Sequence, residues 1–589
     1  MTPKFPVIFF RLLSGLLGIG ISIAALAADV PEPPGGSDLA GESALKVHVD
    51  PGHATVSQLD GGGWKIDVTR PDETRAFLAQ VSLDCPAAAL APEECVLALI
   101  KGRAPAGSAS IETKLQLSGP PYTMAAPTST IELGTELKEV PVVFRVTTAI
   151  EKGRASLTLL CAGKLQTVEI VSIRVLHYPA GTDTSGFPRV RRTYPGREAD
   201  APWRKAALDR IEQHRKADFS VRVRGADGEP LVDTKVTLTL RRHEFGFGSA
   251  VTAELLTAET EDARRYREII DRLFSRVVFE NDLKDFGWET DAAGKDALKQ
   301  RLDQAFGWLG QRKISVRGHY LMQVAVPPNL AGVTDPEAIR RHFLDTSQER
   351  IDFARDRVCE WDVINHPVAW SGAELLSKRP GLEKLDRDIY GLAQRATSLP
   401  FFVNEDQIFR PGRQADETFV YLEALKQDGF RVDGLGNQAH FDESFLPPPE
   451  QLLAVTDRFA ALVPRQVVTE YDIVTQDDEE LAADYTRDAL IACFSHPAYT
   501  GFLLWGFWEG SHWKPEAASW NRDWSVRKRG EVLEEWLGRC WTTRVTLTTG
   551  KGGTVRWRGF PGHYQLEAGD KSQQFTVSKA IPAAMVELP

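Results

Sequence analysis

Eight short apolar segments alternate with helix-forming stretches between residues 243 and 540, and this repetition constrains the fold more than any other feature. The segments are HEFGFGSAV, RVVFEND, SVRGHYLM, CEWDVINH, PFFVNED, VDGLGNQAH, RQVVTEYDI and GFLLWGFWEG. The stretches between them, such as 263–274, 295–309 and 336–357, carry apolar residues at the helical period. Eight strand–helix units over roughly 300 residues is the number that closes a (β/α)8 barrel. We therefore predict an α/β fold with a TIM barrel at 243–540.

Polar or aromatic side chains stand at the carboxyl end of nearly every predicted barrel strand. They are Glu280, Asn281, Asp282, His319, Asn365, His366, Asn404, Glu405, Asp406, Gln438, His440, Glu470 and Trp505. The carboxyl ends of barrel strands meet at one face, and barrel enzymes build their active sites there. This pattern predicts one site at that face.

The segments that flank the barrel have β character. Residues 45–178 show short alternating strands separated by Gly, Pro and Asp turns, which predicts an N-terminal β-sandwich. This domain is a possible carbohydrate-binding module, but its single tryptophan, Trp64, lies in a strand where packing would also explain it. Residues 200–242 indicate a helix plus a small β-unit leading into the barrel. Residues 541–589 indicate a C-terminal β appendage.

The N-terminus has the pattern of an export signal. Lys4 and Arg11 precede an apolar run over 12–26, and Ala25-Leu26-Ala27 resembles a cleavage site. We therefore expect residues 1–27 to be a signal peptide and the protein to be secreted, either extracellular or periplasmic. The run is short for a helix of ~20 residues that would span a membrane. No membrane span is expected after cleavage.

Net charge, cysteine content and motif spacing limit the partners, disulfides and cofactors that we expect for this chain. A formal charge of −11 argues against nucleic acid and anionic membrane surfaces, which both require basic patches. Six cysteines in 589 residues do not make a disulfide scaffold, although Cys85 and Cys95 could close a loop in an oxidising compartment. Histidines lack the close spacing of a zinc site, and no glycine-rich phosphate loop follows a strand. No metal or cofactor is expected.

Five ordered motifs carry a family resemblance that covers the whole barrel. CEWDVINH and VVTEYDI resemble the WDVVNE and ITELDI segments of the family-10 glycoside hydrolases, the xylanase family. FENDLK is similar to its ENxMK segment, RGH is shared, and DGLGNQAH is similar to DGIGxQxH. Trp505 and Trp513 match its two cleft tryptophans. The chain is most similar to the multi-domain branch found in plants and some bacteria.

The resemblance implies a role for each matched residue. Glu470 takes the place of the nucleophile in retaining hydrolysis, and His366 stands where the family has its acid/base Glu. His440 would orient the nucleophile. Sugar contacts are implied for Asn281, Lys284, His319, Asn365, Gln438, Trp505 and Trp513.

Two positions differ from the family pattern. An imidazole at His366 can exchange protons near neutral pH, but beside Glu470 it would tend to pair with that carboxylate and so raise its own pKa. Gln323-Val324 stands where the family has Trp-His, or a Trp with an acidic residue, and Val324 has no hydrogen-bonding group for a sugar hydroxyl. These changes suggest altered chemistry.

Other titratable groups are weaker candidates for the missing acid. Glu405 and Asp406 follow the fifth strand, and Glu509 and His512 lie in the last loop. Each is better explained as a structural or solvated group, although any of them could supply a proton.

These observations predict a secreted, family-10-like retaining glycoside hydrolase, similar to an endo-β-1,4-xylanase, that acts on xylan or a related plant β-glycan. The alternative is a non-catalytic glycan-binding protein built on a degenerate xylanase barrel. A third possibility is a barrel that has been retargeted to another glycan. The expected partner in each case is a polysaccharide or oligosaccharide.

Overall fold

The structure, a computed structural model, describes residues 30–184, 186–189, 192–288, 291–370, 372–410, 412–475 and 478–589. The signal peptide predicted at 1–27 lies outside these ranges. The chain forms two compact units that divide between residues 191 and 192, and each is described by itself. Within the described ranges, every helix is too short or too polar to traverse a bilayer.

The first unit consists of two antiparallel sheets, which confirms the predicted N-terminal β-sandwich. One sheet has the order β3-β4-β11-β6-β9, with β1 also paired to β11, and the other has the order β2-β5-β10-β7-β8. The strands are β1 (Ser37–Asp38), β2 (Lys46–Val49), β3 (Ala54–Gln58), β4 (Trp64–Val68), β5 (Ala79–Cys85), β6 (Cys95–Arg103), β7 (Ala109–Leu117), β8 (Ser129–Leu133), β9 (Lys138–Arg145), β10 (Ala155–Leu160) and β11 (Thr167–Tyr178). Alternate residues of β5 are buried, because successive side chains of a strand point to opposite faces.

The disulfide considered between Cys85 and Cys95 does not form. Cys85 is a free thiol in the core that the two sheets share. Cys95 begins a strand of the other sheet and lies in a separate cluster with Tyr178 and Phe187. The two side chains therefore belong to different apolar clusters.

The second unit begins with α1 (Pro202–Arg215), β12 (Ala217–Arg224) and β13 (Lys235–His243), followed by the barrel strands. These are β14 (Gly246–Val251), β15 (Arg276–Phe279), β16 (Ser315–Gly318), β17 (Met322–Gln323), β18 (Glu360–Asn365), β19 (Phe401–Glu405), β20 (Gly434–Asn437), β21 (His440–Asp442), β22 (Arg465–Val474) and β23 (Tyr499–Leu504). The main strands pair in parallel around a ring closed by β14 with β23 and by β16 with β18. The short β17 and β21 continue the third and sixth positions of the ring. The predicted TIM barrel is confirmed.

Helices cover the outside of the ring. They are α2 (Ala253–Thr257), α3 (Glu261–Leu273), α4 (Ala292–Gln311), α5 (Pro336–Ala354), α6 (Leu385–Ala396), α7 (Arg413–Gln427), α8 (Pro449–Ala460), α9 (Glu479–Ser495) and α10 (Lys528–Glu535). In α3 the buried residues include Tyr266, Ile270 and Leu273, which share one face at the helical period. Thr260 caps this helix by accepting from the Ala263 amide. Because helices cover one side of the sheet and side chains fill the other, every residue of β18 is buried.

The β segments before and after the barrel form one structure. The C-terminal strands are β24 (Arg544–Thr548), β25 (Thr554–Gly559), β26 (Gly562–Ala568), β27 (Lys571–Val577) and β28 (Ala583–Glu587). They combine with the earlier strands in two sheets, β25-β12-β28 and β24-β13-β26-β27. The two segments, predicted as separate units, therefore pair with each other across about 300 residues of intervening barrel.

Candidate active site

Glu470 lies at the centre of the site, on β22 at the carboxyl face of the barrel. Its side chain is buried, and its Oε1 accepts a hydrogen bond from Asn404 Nδ2 at 2.6 Å. Oε2 lies 3.3 Å from His440 Nε2, and Oε1 lies 4.0 Å from His319 Nε2. Side chains from three other strand ends thus surround the carboxylate, and those of Asn404 and His440 hold its two oxygens.

The surroundings keep Glu470 ionised. Burial alone would raise its pKa, but the hydrogen bond from His440 and the positive charges of nearby histidines outweigh burial and lower the pKa to about 2. His440 responds in the opposite sense: burial opposes its charge, yet Asp472 and Glu470 raise its pKa to about 10. At neutral pH the pair is a carboxylate beside an imidazolium.

Asp472 and Trp513 hold His440 in position. The pairing of β21 with β22 places His440 opposite Asp472, and His440 Nδ1 lies 2.9 Å from Asp472 Oδ2. Trp513 Nε1 donates to the same oxygen at 2.7 Å, and its ring meets the His440 ring with centroids 4.9 Å apart. His440 is therefore bonded at both nitrogens, with one directed at Glu470.

His319 is supported from within the barrel. Its Nδ1 lies 3.0 Å from Asp362 Oδ2, and the Arg317 guanidinium pairs with the same Asp362. Burial lowers the pKa of His319 despite these anionic neighbours. The His319 ring also meets the edge of Trp505, at 5.1 Å between centroids.

His366 pairs with Glu405 and not with Glu470, which corrects the pairing expected from the sequence. His366 Nδ1 lies 3.1 Å from Glu405 Oε1. Its Nε2 lies 3.1 Å from Gln438 Nε2, an amide nitrogen that can only donate. Burial opposes protonation of His366, but the hydrogen bond and charge of Glu405 raise its pKa above the ordinary value.

Glu405 is fully buried, so its interpretation as a solvated carboxylate was wrong. Oε1 accepts from the Asp406 amide at 2.9 Å and from Gln414 Nε2 at 3.2 Å, in addition to His366. Oε2 accepts from the Val368 amide at 2.9 Å. Both oxygens of Glu405 are therefore occupied by donors of the protein itself, which leaves this carboxyl group poorly placed to donate a proton to a substrate.

Amide side chains connect His366 to Glu470. Asn365 Oδ1 accepts from Gln438 Nε2 at 3.2 Å and from Asn404 Nδ2 at 2.8 Å. Asn404 Nδ2 also donates to Glu470, and its Oδ1 accepts from Thr469 at 2.7 Å. The resulting chain runs from imidazole to nucleophile through three amides from three different strands.

Lys284 lies beside Asn281, and the charge of Glu470 acts on it. Lys284 Nζ donates to Asn281 Oδ1 at 3.1 Å, and it lies over the Trp505 ring at 5.6 Å and the Tyr320 ring at 5.5 Å. Burial lowers the pKa of Lys284, while Glu470 and Glu280 oppose that shift. Asn281 is exposed, so this pair offers both a cation and an amide to a hydroxylated ligand.

The aromatic residues of the site divide into buried and exposed rings. Trp505 is only 6% exposed and forms part of the site floor, whereas Trp513 is 51% exposed. Trp370, which is not among the predicted site residues, is also 51% exposed and meets His366 edge-on with centroids 5.4 Å apart. The sequence signal that could have identified Trp370 is its position four residues after His366.

The remaining candidates have structural partners. Asp406 accepts from the Gln407 amide at 2.7 Å, and Glu509 pairs with Arg527 at 2.8 Å. Burial lowers the pKa of His512 to about 4. Val324 is buried and offers the site no polar group. Across the described ranges, His, Cys, Asp and Glu side chains form no group of three that could hold a metal.

Comparisons with known proteins support the family resemblance. The model of Glycosyl hydrolase family 10 matches residues 238–528, which confirms the resemblance found in the motifs. Anti-sigma-I factor RsgI6 of Acetivibrio thermocellus is 28% identical over 369 residues, covering 62% of this chain and 46% of that protein. Endo-1,4-beta-xylanase 1 of Arabidopsis thaliana is 24% identical over 377 residues, covering 62% and 37%. The chain spans less than half the length of either relative.

Among solved structures, xylanase 10B from Thermotoga petrophila in complex with xylobiose is 20% identical. The match covers 50% of this chain and 95% of that one, with a TM-score of 0.44. Endo-1,4-beta-xylanase XylE of Penicillium canescens is also 20% identical, with coverage of 51% and 95% and a TM-score of 0.45.

Proposed function

This chain belongs to glycosyl hydrolase family 10 through its barrel, and on that premise we propose that it is a retaining glycoside hydrolase acting on xylan or a related plant β-glycan. Glu470 is the nucleophile and His366 is the proton-transfer group. The relatives named as endo-1,4-beta-xylanases support the substrate class. The exposed Asn281, Trp513 and Trp370 support binding of a hydroxylated, ring-shaped ligand.

The state of Glu470 is the observation that carries the proposal. A retaining nucleophile must be ionised, held in one orientation and placed where the anomeric carbon can reach it. Asn404 and His440 hold the two oxygens of Glu470, and the hydrogen bond from His440 together with the charges of nearby histidines keeps the buried carboxylate ionised.

The reaction proceeds in two steps. First, a Glu470 oxygen bonds to the anomeric carbon while the bond to the leaving oxygen breaks, and that oxygen takes a proton from His366. Second, a water oxygen bonds to the anomeric carbon, the bond to Glu470 breaks, and His366 takes a proton from the water. Glu470 and His366 both return to their starting states.

A specific observation favours a second function. Both nitrogens of His366 are engaged within the protein, by Glu405 and by Gln438. If the Gln438 contact persists with glycan bound, no proton can pass, and the site binds glycan without cleaving it.

We also propose export of the protein, because polymeric plant glycan lies outside cells and residues 1–27 have the signal-peptide pattern. Expression of the full chain followed by N-terminal sequencing of the secreted product tests this. A product that begins near residue 28 supports export. A product that is retained in the cell with residues 1–27 intact contradicts it.

Comparison of two substrates tests the enzymatic proposal. We expect hydrolysis of an aryl β-xylobioside with a good leaving group, and slower hydrolysis of xylan, because only the second needs protonation of the leaving oxygen. Glu470→Gln should abolish both activities and leave xylo-oligosaccharide binding within a few-fold of the unaltered protein.

Glu417→Gln is the matched control, because Glu417 is a solvent-facing glutamate of α7 paired with Arg413. Oligosaccharide binding without hydrolysis of either substrate would support the glycan-binding function. Hydrolysis that survives Glu470→Gln would refute the assignment of the nucleophile.

A further inference from the structure

We propose that Glu405 is the positioning residue that makes His366 a proton-transfer group: it fixes the Nδ1 proton and leaves Nε2 to exchange protons with the substrate. This inference rests on the proposed function. The family's acid is a carboxylic acid in its own right. Here the His366 imidazole, hydrogen-bonded to the buried Glu405 carboxylate, would replace that acid. One proton stays on Nδ1, facing Glu405, throughout the reaction.

The hydrogen bonds of Glu405 hold both the ring and the backbone of the segment that carries it. Oε1 lies 3.1 Å from His366 Nδ1, and Oε2 accepts from the Val368 amide at 2.9 Å. The Asp406 amide and Gln414 Nε2 complete the set from the other side. The Glu405 carboxylate therefore fixes three things: the His366 ring, the backbone at Val368 and the end of β19 that carries Glu405.

The backbone of His366 is held in an unusual conformation by the same contacts. Its φ of 53° lies in the left-handed region, which residues other than glycine seldom adopt. The His366 amide donates to the Asn404 carbonyl at 2.8 Å, and the Val368 amide is held by Glu405. Such conformations persist where surrounding contacts determine them, and they cluster at functional sites.

Three acidic groups from the described part of the chain act on the His366 ring. Glu405 and Asp406 face it from the end of β19, and Glu470 acts on it from β22. Its other neighbours, the Gln438 amide and the edge of Trp370, are neutral. This set of charges favours the imidazolium, in agreement with the raised pKa of His366. The protonated form of His366, which can donate a proton, is therefore favoured more than in an ordinary histidine.

Gln438 can accommodate both protonation states of His366. In the neutral state, the bare Nε2 accepts from the Gln438 amide nitrogen, as the structure shows. In the imidazolium state, a half-turn of the terminal amide would present its carbonyl to Nε2–H, at the loss of the 3.2 Å contact with Asn365. A glycosidic oxygen that accepts from Nε2–H would take the place of that carbonyl.

The proton transfers balance without ionisation changes at Glu405. In the first step the Nε2 proton passes to the leaving oxygen, and His366 becomes neutral with its remaining proton on Nδ1. In the second step a water proton returns to Nε2. Glu405 stays a carboxylate throughout and acts only by orientation and charge, as the carboxylate of a Ser-His-Asp triad does.

Histidine NMR of the unaltered protein provides the first test. In protein labelled with ¹⁵N-histidine, the resonances of His366 are assigned by their loss in His366→Gln. We expect the Nδ1–H tautomer in the neutral form and a titration midpoint above 6.5, the ordinary pKa of histidine. The Nε2–H tautomer, or a midpoint below 6.5, would overturn the proposal.

Kinetics of Glu405→Gln provide the second test, because glutamine removes the charge and keeps one oxygen that can accept from one of the two backbone amides. On a substrate with a poor leaving group, we expect kcat/KM to fall roughly 10²-fold, within the range that general acid catalysis contributes. The high-pH limb of the profile should also move to lower pH. On the activated aryl xylobioside, kcat/KM should change less than about threefold, because the attack by Glu470 needs no acid. Glu405→Asp should recover part of the loss.

Three outcomes are distinguishable. An unchanged pH profile in folded Glu405→Gln, with an active unaltered protein, would overturn the role of Glu405 alone. Equal losses on both substrates would assign Glu405 a structural role and also overturn the proposal. An unaltered protein that is inactive on the activated substrate would instead contradict the proposed function itself.

Discussion

The interaction between His440 and Glu470 sets the charge state of the proposed nucleophile, and His440→Gln tests it. Glutamine can still donate one N–H toward Glu470, but it removes the positive charge that lies 3.3 Å from Oε2. Asp472 retains Trp513 and Lys514 as partners. The variant therefore changes the electrostatics of the site more than its packing.

The expected magnitude follows from the pKa of Glu470. Its fall from 4.5 to about 2 corresponds to about 3 kcal/mol in favour of the ionised form, at roughly 1.4 kcal/mol per unit. His440 contributes a hydrogen bond and a charge to this sum, and His319 and His366 contribute charge. The shifts of Glu470 and His440 describe one shared interaction, so they are not added. Loss of one close opposite charge should raise the Glu470 pKa by roughly 1 to 2 units.

The assay is the pH profile of kcat/KM on an aryl xylobioside with a good leaving group, measured from pH 3 to 7. Activity on this substrate requires ionised Glu470, so it is lost as pH falls through the Glu470 pKa. We expect a nearly flat profile in the unaltered protein and a decline below about pH 4 in His440→Gln. His496→Gln is the matched control, because His496 pairs with Asp457 at the opposite end of the barrel.

Stability gives a second readout of the same pair. The pKa of His440 is raised, so its stabilisation of the fold is present below pH 6.5 and is lost as pH rises toward about 10. His440→Gln should therefore lower the unfolding free energy at pH 6 by roughly 3 kcal/mol, as measured in urea. An unchanged low-pH limb in a folded variant would refute the claim that His440 keeps Glu470 ionised.

Two further substitutions test other parts of the site. His366→Glu should raise activity on xylan by 10-fold or more, because Glu405 would raise the pKa of a second carboxyl group beside it and make that group a proton donor. If a folded variant shows no gain, the Gln323-Val324 change is the better explanation for low activity on xylan. Trp370→Ala should raise KM for xylan about 5- to 20-fold and change KM for a short aryl xyloside little. The reason is that an exposed ring beside His366 would contact sugars beyond the leaving oxygen. Equal effects on both substrates would exclude such a contact.

Much of the fold was accessible from the sequence because its signals are local. Each barrel strand is a short apolar run that ends in polar residues, and the helices between the runs repeat apolar residues at their own period. The carboxyl-face rule then places Glu470, His366 and His440 at one end of the barrel, and the structure brings them there. The union of β12 and β13 with β24–β28 was not accessible, since pairing across the length of the barrel leaves no mark within either segment.

The partner of His366 was missed for a related reason. The sequence suggests attraction between His366 and Glu470, because these are the residues at the two motif positions. The predicted barrel makes β18 and β19 neighbours, but it does not give the register that pairs Asn365 with Asn404. That register brings Glu405, the next residue along, to His366. From the sequence alone, a glutamate at the end of a buried strand cannot be distinguished from a solvated one. The position of the neighbouring strand distinguishes them.

Covalent trapping tests the central claim most directly. An activated 2-deoxy-2-fluoro-β-xylobioside slows both steps of a retaining mechanism but slows hydrolysis of the intermediate more, so a live nucleophile accumulates as a glycosyl ester. We predict one adduct per chain by mass spectrometry, on the peptide that contains Glu470, and its absence in Glu470→Gln. A folded protein that binds xylo-oligosaccharide and forms no adduct, or forms one on a different carboxylate, would contradict the account.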